Sequence, residues 1–321
     1  MNYFIGIDLG GMSAKAGLLN QEGALLHIDR CETEAKDSPE KTAENLANLV
    51  EKIIKDAGAS KGDVIAIGIG SPGIIDSQNG TVVRWSNFGW ENVPLAELIQ
   101  THTGLPVYIT NDANAAALGE AQFGSGKNYR NSVMLTLGTG VGGGIIIDGK
   151  LEEGFCSAGG ELGHMTIHKR GIRCTCGRKG CFECYASATA LKRETRKAMK
   201  RNPESLMWET SGTLDKVSGR TAFLAAEKGD EAAKIVVKQY IEDLGAGIVN
   251  IVNMLRPQVI ILGGGVSNEG DNLIVPLKDY VYQNIYAPVD YVPLEIVRAS
   301  LGNDAGIYGA AAYAQSRKEK S

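Results

Sequence analysis

Phe4-Ile5-Gly6-Ile7-Asp8-Leu9-Gly10-Gly11-Met12-Ser13-Ala14-Lys15 is the stretch from which the fold follows. Its first six residues form an apolar run of the length and flanks of a buried strand. A polar glycine turn comes next, and a second strand is expected over 16–19. The same pattern returns further on, with strands expected at 132–137 and 143–147 around a turn of five glycines in the seven positions 138–144. Each hairpin ends in an exposed turn, Gln21-Glu22-Gly23 in the first copy and Asp148-Gly149 in the second. Helices expected at 40–57, 94–103 and 111–122 alternate with strands at 64–70 and 107–110. In the first of these helices Leu46, Leu49, Val50, Ile53 and Ile54 share one face. This repetition predicts a duplicated α/β protein of two domains with an interdomain cleft.

Beyond the repeat, helices are expected near 187–201, 219–227, 230–254 and 271–285. Strands are expected at 257–262 and 294–298, with a closing helix from about 303 and a polar loop over 202–218. At 321 residues the chain exceeds what one hydrophobic core usually serves. The expected small N-terminal domain is 1–114, joined by the C-terminal helix 303–321. The large domain is 115–302, and it carries the cysteine-rich segment described below.

Apolar content of 43% and charged content of 22% are those of an ordinary globular protein. A net charge of −4 provides no electrostatic footprint for nucleic acid or an anionic membrane. No apolar run approaches the ~18 residues of a membrane helix. No basic, apolar leader precedes the first strand, so a cytoplasmic location is expected.

The 41 glycines cluster at 10–11, 138–144, 159–163 and 263–265, each beside an apolar run. Clusters at strand ends are where backbone must approach a ligand closely. A Gly-Gly hairpin alone is more often only a hairpin. Three such strand ends in a duplicated α/β chain point to a bound nucleotide. On this reading Gly10, Gly11, Met12, Ser13 and Lys15 meet the phosphates, and Asp8 holds Mg²⁺ through water. Gly138, Thr139, Gly140, Gly263, Gly264 and Gly265 complete the nucleotide site.

Between Glu161 and Glu183 soft ligands alternate with carboxylates: Glu161-Leu-Gly-His164, then Cys174-Thr-Cys176-Gly-Arg-Lys-Gly-Cys181-Phe-Glu183. His164, Cys174, Cys176 and Cys181 have the number and softness of a closed tetrahedral zinc site. Their spacing matches no common zinc finger. Free thiols or disulfides are the plainer alternative, but the remaining cysteines are scattered and no export signal is visible. Cys184 is left outside the site. Glu161 and Glu183 on the same knot make it a zinc-braced binding loop. Asn111-Asp112 opens a helix after a strand, where an aspartate is ordinarily the N-cap.

Together, the turn at 8–15, Asn111-Asp112-Ala-Asn114, the glycines at 138–144, Glu161-x-x-His164, the cysteine triad and Gly180-Cys181-x-Glu183 resemble the ROK family (repressor, open reading frame, kinase). The resemblance covers nearly the whole chain and is greatest to bacterial zinc-containing glucokinases. It implies an actin-like ATPase (ribonuclease H-like) fold and ATP-dependent phosphorylation of a hexose at its 6-hydroxyl, most simply glucose. It also implies that Asp112 is the general base and that Asn111, Glu161, His164 and Glu183 bind the sugar, with Gly73 and Asn87 as further candidates. Structural Zn²⁺, ATP with Mg²⁺, and a homodimer or homotetramer complete what it implies. Met12 departs from the threonine usual in the family's first turn, which removes a hydroxyl from the phosphate site. An N-acetylmannosamine, N-acetylglucosamine or fructose kinase is the alternative within the family. A sugar-binding transcriptional regulator is the alternative outside enzymes; such proteins carry an added DNA-binding segment, whereas this chain starts at the phosphate strand.

Overall fold

In the computed structural model, which describes residues 2–36 and 38–319, the chain divides into two compact units. The first comprises Met1–Met134, Gly144–Gly160 and Ser300–Ser321, the second Leu135–Gly143 and Glu161–Ala299. Residues 1, 320 and 321, at the ends of the expected domain spans, lie outside the described residues.

The first unit opens with a meander of β1 (Tyr3–Leu9), β2 (Ser13–Asn20) and β3 (Leu25–Glu32). Helix α1 (Pro39–Asp56) then crosses to β4 (Val64–Ser71). Ser38 caps α1, its Oγ accepting the Lys41 N–H at 3.1 Å, and Pro39 starts the first turn, where it lacks no needed donor. The five apolar residues expected on one face of α1 are all buried. Three short strands follow, β5 (Ile74–Asp76), β6 (Thr81–Trp85) and β7 (Trp90–Val93), which form a separate antiparallel sheet. Helix α2 (Leu95–Thr103), β8 (Val107–Asn111) and α3 (Asp112–Phe123) complete this run. The main sheet has the order β3-β2-β1-β4-β8, antiparallel on the β2 side of β1 and parallel on the β4 side.

The chain continues through β9 (Ser132–Leu137), β10 (Val141–Ile147) and β11 (Lys150–Leu151). Helices α4 (Glu183–Ala186), α5 (Ala188–Arg201), α6 (Leu206–Ser211), α7 (Thr221–Glu227) and α8 (Glu231–Leu255) follow. The last elements are β12 (Val259–Gly263), α9 (Asp271–Asn284), β13 (Glu295–Arg298) and α10 (Ala305–Lys318). The second sheet has the order β11-β10-β9-β12-β13. Position for position this repeats the first sheet, so the duplication read from the two glycine hairpins is real, and the fold is the expected actin-like one. One expectation needs correction. The stretch 202–218 is not all loop, because Ser205 caps α6 by accepting the Met207 N–H at 3.2 Å.

Strand β1 is buried on both faces. Ile5, Ile7 and Leu9 join the core beneath α1 and α2, while Phe4 packs with Ile307, Ala311 and Ala314 of α10. Helix α10 lies so close to its neighbours that a Cβ on Gly68 would stand 1.8 Å from the Ala310 carbonyl oxygen. One on Gly309 would stand 1.6 Å from that of Ala115 in α3. These glycines serve helix packing, not a ligand. Among the described residues no helix is long and apolar enough to cross a membrane.

Candidate active site

In the first unit, β1 ends at Leu9, just past Asp8, β2 starts at Ser13, and the Gly10 N–H closes the turn onto the Ser13 carbonyl at 3.0 Å. Pairing of the two strands sets Asp8 opposite Lys15. The Lys15 ammonium is bonded to Asp304, which stands at the start of α10 without capping it. Gly306, on the first turn of α10, lies against the Asp8 carboxyl, where a Cβ would come within 2.8 Å of Cγ. Met12 is 87% exposed, and its carbonyl accepts the Thr33 N–H at 3.2 Å.

Asp112 is not the N-cap. That place belongs to Asn111, whose Oδ1 accepts the Ala113 and Asn114 N–H groups at 2.9 and 3.4 Å. The Asn111 amide donates to the Gly73 carbonyl at 3.3 Å, and Gly73 has φ 99°, with no room for a Cβ beneath the Arg84 carbonyl. One Asp112 oxygen accepts the Ala113 N–H at 2.8 Å. Burial pushes the Asp112 carboxyl above the ordinary carboxylate range. Burial, and then the neighbouring Asp112 charge, push Asp8 up to about 6, partly opposed by Lys15. Asn87 lies exposed in the turn between β6 and β7. The adjacent Phe88 ring presses on Gly11, so this turn meets the Gly10-Gly11 turn. Asp8, Lys15, Gly73, Asn111 and Asp112 are thus brought into one neighbourhood. Asp304 joins them unforeseen. Its only sequence signal is an acidic residue just inside the final helix, indistinguishable there from a cap.

Two half-buried carboxyls opposed by a single nearby ammonium leave an excess of negative charge. Such a place favours a proton or a divalent cation.

The second unit holds the other candidates. His164 closes a single 3₁₀ turn, Leu162–His164, and its N–H bonds the Glu161 carbonyl at 3.0 Å. Gly163 lets this turn lie against β10, since a Cβ there would stand 2.0 Å from the Val141 carbonyl oxygen. The segment from Cys174 to Cys181 is folded by backbone bonds from Cys174 N–H to Arg178 O at 2.8 Å and from Gly180 N–H to Ile172 O at 2.8 Å. Donor atoms of His164, Cys174, Cys176 and Cys181 all lie within 4.8 Å of one another. A Zn–S bond of about 2.3 Å demands tetrahedral edges of about 3.5–3.8 Å. The Cys176 and Cys181 sulfurs are 3.6 Å apart, and the Cys174 sulfur is 3.8 Å from His164 Nδ1. The four donors therefore fit one zinc ion, and Cys184 is not among them.

Glu183 begins α4 with one carboxylate oxygen 2.9 Å from the Cys174 sulfur and 3.7 Å from His164 Nδ1. Its other oxygen faces Gly140, where a Cβ would lie 2.6 Å away. Glu161 is exposed. The exposed Thr139 lies in the turn where Gly138 N–H bonds Gly140 O at 3.1 Å. Gly264, with φ 82°, packs on the Leu137 backbone, which joins the Gly263–Gly265 turn to the end of β9. The glycine clusters at 138–144 and 263–265 are therefore neighbours.

Comparison with known proteins finds relatives over nearly the whole chain. The ROK family profile matches residues 4–317. The glucokinase of Thermotoga maritima is 37% identical over 315 residues, which cover 98% of this chain and 97% of that protein. The xylose repressor of Caldicellulosiruptor bescii is 34% identical over 310 residues, 96% of this chain and 77% of the repressor. Among solved structures, a ROK family glucokinase from Streptomyces griseus in complex with glucose and AMPPNP superposes with a TM-score of 0.79 at 35% identity, covering 98% of this chain and 100% of that one.

Proposed function

The chain belongs to the ROK family, and we propose from that premise that it is an ATP-dependent hexokinase converting glucose to glucose 6-phosphate. Full-length similarity to glucokinases, and to a structure holding glucose with an ATP analogue, supports both the reaction and the sugar.

Asp112 is the general base. The observation that carries this role is a half-buried carboxyl, raised above its ordinary range, that is excused from capping by Asn111. Phosphoryl transfer requires an aligned hydroxyl, a base beside it and neutralised phosphate charge. The Asp112 carboxylate takes the proton of the 6-hydroxyl as the hydroxyl oxygen bonds the γ-phosphorus and ADP leaves. The turn from Gly10 to Ser13 and Lys15 faces the phosphates, and Asp8 holds the cation's water shell. Mg²⁺, when bound there, neutralises developing charge on the transferred group. Thr139, with Gly138, Gly140 and Gly263–Gly265, receives the rest of the nucleotide.

Asn111, Gly73, Asn87, Glu161, His164 and Glu183 bind sugar hydroxyls, the carboxylates accepting two bonds each. Zinc on His164, Cys174, Cys176 and Cys181 supplies rigidity, not chemistry. His164 Nδ1 faces the thiols, which frees its Nε2–H for a sugar oxygen. The protein works in the cytoplasm as a homodimer or homotetramer.

Release of ADP, coupled to a spectrophotometric reporter over a panel of hexoses, tests the reading. Turnover is expected to be fastest on glucose. Asp112→Asn should lose at least 10²-fold in kcat while still binding glucose; retention of more than a tenth of kcat would remove Asp112 from the mechanism. The match to a xylose repressor favours one rival, a sugar-binding regulator without catalysis. Absence of ADP release on every hexose would establish that rival instead.

A further inference from the structure

Glu153 has no part in the reaction above, yet its carboxylate gathers three hydroxyls from three different elements. One oxygen accepts from Thr110 at 2.8 Å. The other accepts from Tyr313 at 3.0 Å and from Ser77 at 3.3 Å. Thr110, Ser77 and Tyr313 are all buried. A fourth hydroxyl, that of Ser157, lies 2.5 Å from Ser77 Oγ, and its oxygen accepts the Ser77 N–H at 3.3 Å.

An ionised carboxylate only accepts, so the hydroxyls that meet it donate. Thr110 and Tyr313 donate to Glu153, Ser77 comes within bonding distance of it, and the Ser77 and Ser157 hydroxyls bond each other. The chain here is also held in an uncommon shape, with Cys156 at φ 52° and Ser157 at φ 56°, left-handed values at non-glycine residues. Such residues persist where their surroundings over-determine them, and the two Ser77 bonds do so for Ser157.

Each arm leads to the site. Thr110 immediately precedes Asn111 and Asp112. Ser77 follows β5, the strand that begins directly after Gly73, and the Gly73 carbonyl accepts from Asn111. Tyr313 lies on α10, the helix whose start carries Asp304 and Gly306. Glu153 therefore fastens together, from behind, the segments that present Asn111 and Gly73.

We propose that Glu153 is a positioning residue of the sugar site, setting Asn111 and Gly73 in place through Thr110 and Ser77 without touching substrate. This rests on the kinase reading given above.

Steady-state kinetics of four proteins test it: the wild type, Glu153→Gln, Thr110→Val and Tyr313→Phe. Glutamine keeps the shape but turns one acceptor into a donor, so at least one hydroxyl must swing away. For Glu153→Gln the glucose KM is expected to rise about ten-fold, the scale of one lost charge-assisted hydrogen bond. The KM for ATP should stay within about two-fold, and unfolding should remain cooperative. Thr110→Val should move the glucose KM the same way, and the double variant should be no worse than Glu153→Gln alone. Tyr313→Phe, whose arm does not lead to Asn111, should leave the glucose KM unmoved. An unchanged glucose KM in Glu153→Gln, or equal rises for both substrates, overturns the proposal. If the wild type turns over no hexose, the kinase reading fails by itself, and amide hydrogen exchange then decides the Glu153 inference. Exchange at 111–114 and 154–158 accelerated about ten-fold in Glu153→Gln, with α1 unaffected, supports the clamp. Equal rates in both proteins refute it.

Discussion

Asp8 and Asp112 show at the scale of single residues how function strains a fold. Each carboxyl is held where its charged form is disfavoured, Asp8 at about 6 and Asp112 likewise above its ordinary value. For a carboxyl raised in the folded state, native protein holds its proton more tightly than unfolded chain. Its contribution is then fully favourable below the unfolded value near 3.8, and is lost as pH rises through about 6. Asp8→Asn should accordingly stabilise the ligand-free protein by roughly 2–3 kcal/mol at pH 7.5 and by almost nothing below about pH 4. Urea unfolding at the two pH values, without nucleotide or divalent cation, measures this. A variant no more stable than wild type at pH 7.5 would mean that Asp8 is well solvated. Turnover should nonetheless collapse if Asp8 holds the cation as proposed. Catalytic efficiency of the wild type should fall on the acid side at a pH above the ordinary carboxylate value of about 4, since burial raises the Asp112 carboxyl that must be ionised to act as base.

At the scale of elements, two packings bear the structure's weight in different ways. The segment from His164 to Cys181 has little apolar material of its own and is tied by isolated bridges, Thr166 with Cys181 and Arg173 with Lys179, and by scattered turn hydrogen bonds. A zinc ion on the four donors would supply much of its order. Cys176→Ser is therefore expected to lower stability by several kcal/mol and to weaken glucose binding in step, because His164 and Glu183 sit on the same knot. Metal analysis of the purified wild type checks the premise, and protein free of zinc would end the argument. The contact of α10 with α3 depends on a missing side chain instead. Gly309→Ala places a methyl where the Ala115 carbonyl oxygen is 1.6 Å away, so a loss of about 1–3 kcal/mol is expected in urea unfolding. Wild-type stability would show that the helices can part at no cost. This role was not legible from the sequence, where clustered glycines drew attention to ligands and solitary ones at 68 and 309 drew none. Soft ligands were easier to read, because thiols and an imidazole crowded into one short segment have few other uses. That Asn111 and not Asp112 is the cap was not legible, because both residue types favour the position, and only the hydrogen bonds separate them.

On the scale of the whole molecule, hydrophobic periodicity found four strands of each five-stranded sheet, since a buried strand beside a glycine turn repeats visibly at 4–19 and 132–147, but it missed the edge strands β3 and β11. It was insufficient for β5, β6 and β7, which are three to five residues long and half exposed, and for the six-residue α6. Elements so short take their conformation from neighbours, which no local window contains. Nor could periodicity find Asp304, because its partner Lys15 is 289 positions away. Long-range pairings of that kind are what a bound substrate should reinforce, and this yields a measurement that does not depend on turnover. A ligand that binds only the folded protein stabilises it by about 2.7 kcal/mol at a hundredfold excess over Kd. For a chain of this size that is roughly 5 °C in Tm. Glucose should produce this shift in wild type and, equally, in Asp112→Asn, because the base is not needed for binding. A shift with another hexose but none with glucose would reassign the substrate within the family. A shift in wild type that is absent from Asp112→Asn would make Asp112 a sugar ligand, not a base.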